Sequence, residues 1–205
     1  ALLATVLVWF LAGRAGNSAT LILAGVAISS LAGSLTALVL NFAPNPFAAA
    51  EIIFWLMGSL ADRSMEHLWV SLPFMIIGWL LLLSVRTTLD ALSLGAETAR
   101  SLGVNLRNVS IRIIFGTALA VGAATSVAGV IGFVGLAVPH ILRPFVGHRP
   151  GSLLFASALG GAVMLGIADL AVRLFSVGAE LKLGVLTALI GAPFFLALIL
   201  KLRRG

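Results

Sequence analysis

The feature that most constrains this chain is a succession of apolar runs, most of them about as long as a lipid bilayer is thick. A helix crosses hydrocarbon with about twenty apolar residues, and on that measure six or seven membrane segments are expected. They fall at 1–12, 19–40, 67–86, 108–128, 131–146, 152–174 and 183–201. The chain opens inside an apolar run with no initiator methionine, basic leader or cleavage pattern, so it reads as a fragment whose first segment is truncated. The fifth segment is short. With 60% apolar and 10% charged residues, a water-soluble fold would lack the polar side chains its surface requires. The expected class is therefore all-α, a polytopic transmembrane helical bundle forming a single domain over 1–205.

A formal charge of +6 does not point to nucleic acid, because the basic residues stand singly between hydrophobic runs without aromatic interleaving. Their distribution instead orients the bundle. When the segments alternate across the membrane, one set of connections holds Arg14, Arg86, Arg100, Arg107, Arg112, Arg143, Arg149, Lys201, Arg203 and Arg204. The other holds only Arg63, Arg173 and Lys182, beside Glu51, Asp62, Glu66, Asp169 and Glu180. The basic side is expected to be cytoplasmic. The short fifth segment is needed for this asymmetry, since without it Lys201, Arg203 and Arg204 would face outward.

Two connections are more than turns. In the outer one, 41–66, the turn formers Asn41, Pro44, Asn45 and Pro46 precede an apolar stretch from Phe47 to Met57. That stretch predicts a short interfacial or re-entrant helix with Trp55 near headgroup level. The inner one, 87–107, predicts two short helices broken at Gly95 and ended at Gly103. Leu92, Leu94, Ala99 and Leu102 would give it an apolar side suited to a protein partner.

Small residues at four-residue spacing mark close helix packing, and two such stripes occur: Gly25, Ser29, Gly33 and Gly116, Ala120, Ala124, Ala128. Gly129, Gly132 and Gly135, followed by Pro139, disfavour a regular helix and predict a tight, partly unwound re-entry into the membrane. Such backbone must face protein or a water-filled cavity. His140 follows in the same segment, with a structural hydrogen bond as its expected role and metal or proton binding as the alternative. His67 and His148 lie near interfaces and need no special role. The sequence contains no cysteine, P-loop, HExxH or nucleophile elbow, so no catalytic residue, metal site or cofactor is expected.

Three strings carry a family resemblance: Gly132-Phe133-Val134-Gly135-Leu136-Ala137-Val138-Pro139-His140, Leu94-Gly95-Ala96-Glu97-Thr98-Ala99-Arg100-Ser101-Leu102-Gly103, and the run from Gly184 to Phe195. Taken in chain order they resemble the FecCD/BtuC permeases, type II ABC importers for ferric siderophores, haem and vitamin B12. Weaker likeness at Leu23–Ala27 and Trp55–Leu60 extends over nearly the whole chain. The resemblance implies a subunit of ten helices with a BtuC-like fold, of which about the last six and a half are present. It also implies a second permease subunit, cytoplasmic ABC ATPase subunits and a periplasmic substrate-binding protein.

On this resemblance 90–103 is the ATPase-coupling element, with Leu94, Gly95, Glu97, Arg100, Leu102 and Gly103 as its residues. An acidic position common in the family after the first glycine is Ala96 here, leaving Glu97 as the nearby carboxylate. Arg173 is placed where an arginine meets the binding protein, although Asp169, four residues earlier, offers an internal partner. Lys182 stands where many relatives have proline, beside Glu180. Gly132, Gly135, Pro139 and His140 form the pathway or structural motif. The expected function is import of iron chelates, ferric siderophore or haem, through the inner membrane, with vitamin B12 as the alternative cargo. An ion-coupled carrier would call for carboxylates at mid-membrane, where only Asp169 is a candidate, and it lies towards the outer end. An intramembrane enzyme would need a nucleophile or metal pair facing a cavity, and none is visible.

Overall fold

The computed structural model describes residues 2–12, 18–147, 149–175 and 181–204. All its regular structure is helical: α1 (Leu2–Ala12), α2 (Ser18–Asn41), α3 (Pro46–Leu56), α4 (Met65–Leu83), α5 (Arg86–Leu92), α6 (Ala96–Ser101), α7 (Leu106–Ala128), α8 (Val134–Leu142), α9 (Pro150–Phe175) and α10 (Leu183–Arg204). A 3-10 turn, Arg143–Val146, continues α8. Within α2, α4, α7 and α9 lie stretches long and apolar enough to cross a membrane, while Leu2–Leu11, Pro46–Leu56, Val134–Val146 and Leu183–Ala197 are shorter apolar stretches. All seven expected segments are present as helices. The expected 67–86 segment ends at Leu83, and Arg86 instead begins α5.

Local chemistry sets the boundaries. Asn45 caps α3 by accepting from the Ala48 amide at 2.8 Å, with Pro46 supplying the first helical φ. His67 closes the start of α4, its Nδ1 lying 3.3 Å from the Ser64 amide, which donates to it, and 2.7 Å from Ser64 Oγ. Asn105 caps α7 through the Asn108 amide.

The tightest packing is the α4–α7 pair, where a Cβ on Gly78 would lie 2.7 Å from Ala120 N and Gly116 O. The Gly116 and Ala120 stripe is thus a seam in which two backbones touch, as expected of helices in lipid. The other stripe differs: nothing lies within 4 Å of a Cβ on Gly25 or Gly33, so α2 keeps that face open. Buried apolar residues are mostly small, such as Ala24, Ala99, Ala118, Ala120 and Ala137, whereas Trp69, Phe155 and Leu170 point outward. Lipid accommodates such an exterior at no hydrophobic cost.

The helices share two ends. Arg86, Arg100, Arg107, Arg112, Arg143 and Arg149 gather where α4 ends, α7 and α9 begin, and α5 packs on α9. Arg63, Arg173 and Lys182 lie at the opposite end with Asp62 and Asp169. Arg14, His148 and Glu180 lie outside the described residues, as do the side chains of Lys201, Arg203 and Arg204.

Candidate functional site

At the basic end, α5 and α6 form the predicted broken helix. Gly95 takes φ 106° and Gly103 φ 84°, conformations a Cβ would strain, so the two breaks fall at the expected glycines. Leu94 and Leu102 are 66% and 64% exposed and stand at either end of α6. Glu97 in its first turn and Arg100 in its last are also exposed and join no ion pair among the described residues. The expected apolar side needs correction at two residues. Ala99 is fully buried and Leu92 half-buried, and after α6 the chain folds back, the Val104 amide donating to Ala99 O at 3.0 Å. Of the four, only Leu94 and Leu102 are exposed, flanked by two opposite charges. A depression of about 270 Å³ lies beside Leu102 and Gly103, lined also by Asn105, Asn108 and Arg112.

At the opposite end the chain re-enters the bundle. After α7, Gly129 turns at φ 73°, and the next residues run without helix until Phe133, which adopts φ 65° before α8 begins. Val130 O lies against Gly184 at the start of α10, and Phe133 lies against Gly191. Seven residues of helix separate those two glycines, so residues 130–133 descend roughly 10 Å along α10. The predicted partly unwound re-entry is present, and α8 starts inside the bundle.

The roles within the motif are distributed differently from expectation. A Cβ on Gly132 or Gly135 would meet nothing within 4 Å, so no close contact inside this chain demands glycine there. The left-handed residue is Phe133, whose ring fills the notch left by Gly191. Pro139 sits within α8. His140 meets the Phe194 ring edge-on at 6.4 Å and makes no side-chain hydrogen bond among the described residues, contrary to the hydrogen bond expected for it. Gly132 and Phe133 line an open groove of about 740 Å³ together with Val185, Ala188, Ala192 and Pro193 of α10. Its wall is almost wholly apolar.

Two glycines that sequence reasoning left without a role, Gly58 and Gly184, join Gly129 in knitting this end together. The Gly184 amide donates to Gly58 O at 3.0 Å, and the Ser59 amide to Ala128 O at 2.7 Å. Side chains on Gly58, Gly129 or Gly184 would collide with the carbonyls of Val130, Trp55 or Met57 respectively. The only signal in the sequence was that Gly58 and Gly184 fall within strings shared with a family.

Each cation at this end has a partner. Arg63 stands over Trp55 at 5.0 Å, and Lys182, itself buried, places Nζ 3.4 Å from the Phe54 ring centroid. Lys182 thereby pins α3 to the start of α10. Arg173 Nε donates to Asp169 Oδ2 at 2.7 Å, yet its side chain is 60% exposed. The internal pair and outward exposure coexist.

This arrangement is that of a multi-pass helical membrane protein, and it superposes with a TM-score of 0.83 on an inward-facing ABC transporter of proposed metal-chelate type. The two are 33% identical, over 96% of this chain and 63% of that one. The chain belongs to the FecCD transport family, whose pattern covers residues 1–201. Among its relatives, the hemin transport system permease protein HmuU of Yersinia pestis is 42% identical over 92% of this chain and 56% of its own length. The vitamin B12 import system permease protein BtuC of Vibrio cholerae is 40% identical, over 90% and 55%. The Fe(3+) dicitrate transport system permease protein FecD of Escherichia coli is 38% identical, over 89% and 57%. The chain thus spans a little over half the length of the curated relatives it matches.

Proposed function

We propose that this chain serves as the membrane-spanning permease subunit of an ATP-driven importer of iron chelates, ferric siderophore or haem, in the cell inner membrane. The observation that carries this reading is the α5–α6 pair. It lies at the basic end, with α5 packed on α9, and leaves Leu94 and Leu102 exposed beside Glu97 and Arg100. Lipid would not cover a surface that mixes apolar and charged groups, whereas an ATPase subunit would.

In this mechanism the permease carries no chemistry of its own. ATP hydrolysis belongs to the partner ATPase subunits docked on 87–107, and a periplasmic binding protein delivers cargo to the end that holds Arg173. Arg173 retains free donors for a partner carboxylate while its Nε holds Asp169. A second permease subunit completes the pathway. The apolar groove along α8 and α10 suits transit, because a wall without convergent polar groups does not hold a chelate tightly. Cargo choice then rests with the binding protein.

The 40% identity to a vitamin B12 permease favours corrinoid as the second reading. The test is ATP-dependent uptake of ferric siderophore, haem and cobalamin into vesicles holding the full-length permease with its ATPase and binding protein. Accumulation of ferric chelate or haem over cobalamin is expected. Selective cobalamin uptake would replace the first reading by the second, and failure to co-purify with any ATPase would sink both.

A further inference from the structure

One polar contact joins the proposed ATPase-facing segment to a distant helix. Asp90 lies on α5 and is half-buried, and its Oδ1 accepts the Gly151 amide at 2.7 Å across a separation of 61 residues. Gly151 is the second residue of the 26-residue α9, so the carboxylate occupies the amide-rich, positively polarised end of a long helix. The approach is as close as backbones allow. A Cβ on Gly151 would sit 2.6 Å from Arg86 O and 2.7 Å from Asp90 Oδ2. Its lack of a side chain is what lets α5 lie against α9.

Apart from this packing on α9, the segment is tied to its neighbours in the chain. It follows α4 and precedes α7 in the chain, and α4 and α7 form their own tight pair through Gly78 and Gly116. The α9 helix belongs to the other half of the bundle. At Gly160 it packs on Val138 and Leu142 of α8, and near its far end it carries the Asp169–Arg173 pair. A push on α5 and α6 therefore reaches α4 and α7 through the main chain, and reaches α9 and the re-entrant α8 through Asp90.

We propose that Asp90 is a positioning residue that yokes the ATPase-facing segment to α9, so that displacement of α5 is carried along α9 to α8 and to the outer end. The yoke rests on the importer reading given above. It predicts that α5 and the start of α9 move as one body through the transport cycle. It also predicts that breaking the contact separates ATP hydrolysis from translocation.

The experiment uses the full-length permease, its ATPase and its binding protein in proteoliposomes. In Asp90→Ala, uptake per ATP hydrolysed should fall at least about tenfold, the lower end of the factor that corresponds to one hydrogen bond to a charged group. Asp90→Asn keeps an acceptor oxygen and should lose less. Spin labels on Ser93→Cys and Ser152→Cys provide a readout that a merely stabilising contact would not move. Their separation should stay constant between nucleotide states in the otherwise native protein and become broad in Asp90→Ala. Unaltered uptake per ATP in Asp90→Ala, or a native label separation that changes with nucleotide, overturns the yoke. If Asp90→Ala does not assemble, Gly151→Ala decides on the same two readouts, since its Cβ forces α5 from α9. Absence of ATP-dependent uptake in the native complex would instead refute the importer reading.

Discussion

At the scale of single residues, the pairing of Phe133 with Gly191 shows how a strained backbone is kept. A phenylalanine in the left-handed region costs on the order of 1–2 kcal/mol, which the fit of its ring into the Gly191 notch must offset. Gly191→Val is expected to evict the ring and destabilise the detergent-solubilised protein by about 1–3 kcal/mol through overpacking. A thermal unfolding scan showing the native midpoint would mean that Phe133 has another seat. Arg173 makes a different prediction, since it holds Asp169 while its side chain stays exposed towards the proposed binding protein. Arg173→Glu should weaken binding-protein affinity more than Arg173→Ala, with the native affinity falling as salt is raised. The alanine variant should cost about 1 kcal/mol or less, as exposed ion pairs do. Equal affinities for native protein and Arg173→Glu would assign the arginine wholly to Asp169.

At the scale of elements, α6 is too short to persist alone and depends on its ends. Gly95 opens it at φ 106°, and Gly103 leaves it at φ 84°. Gly95→Ala should strain the opening turn by about 1–3 kcal/mol and displace Leu94, reducing the ATPase recovered with the permease on pull-down. Replacing Glu97 and Arg100 together by alanine leaves both glycines in place. Assembly should then persist while binding-protein-stimulated hydrolysis and uptake fall. Native values of both in the double variant would remove these two side chains from the coupling surface. The re-entrant α8 depends on its neighbours in the same way. Its entry is set by the Gly129 turn and by the carbonyl crowding around Gly58 and Gly184, so bulk at either of these two should disturb the groove from one end.

At the scale of the whole molecule, the described exterior is largely apolar and the interior is built mostly of small residues, alanine, glycine, serine and valine. That inversion suits a bilayer, where packing density and close backbone approach replace the hydrophobic effect between helices. It also leaves surfaces that the chain does not cover. The α2 stripe at Gly25 and Gly33 is open, and the 740 Å³ groove faces outward. Residues 1–205 reconstituted alone with ATPase, binding protein and labelled chelate are therefore expected to show no ATP-dependent accumulation. Accumulation in those vesicles would mean that the described helices enclose a pathway unaided.

The solvent, the helical class, the segments, their basic end and the places where helices break were legible in the amino-acid order. These follow from hydropathy, charge asymmetry and the turn formers, whose physics is local: a run of apolar residues seeks lipid, and Gly95 takes a φ of 106° at little cost. The α3 helix after Asn45 and the unwound stretch after Gly129 were legible for the same reason. Packing between distant segments settles which small-residue stripe is a seam, which face of α6 is exposed, and that Phe133 rather than Gly132 takes the left-handed turn. It alone placed Lys182 on Phe54 and Asp90 on Gly151. In the Asp90 contact, residues 61 positions apart meet because α5 and α9 pack, and the close approach that packing requires is written in neither segment alone.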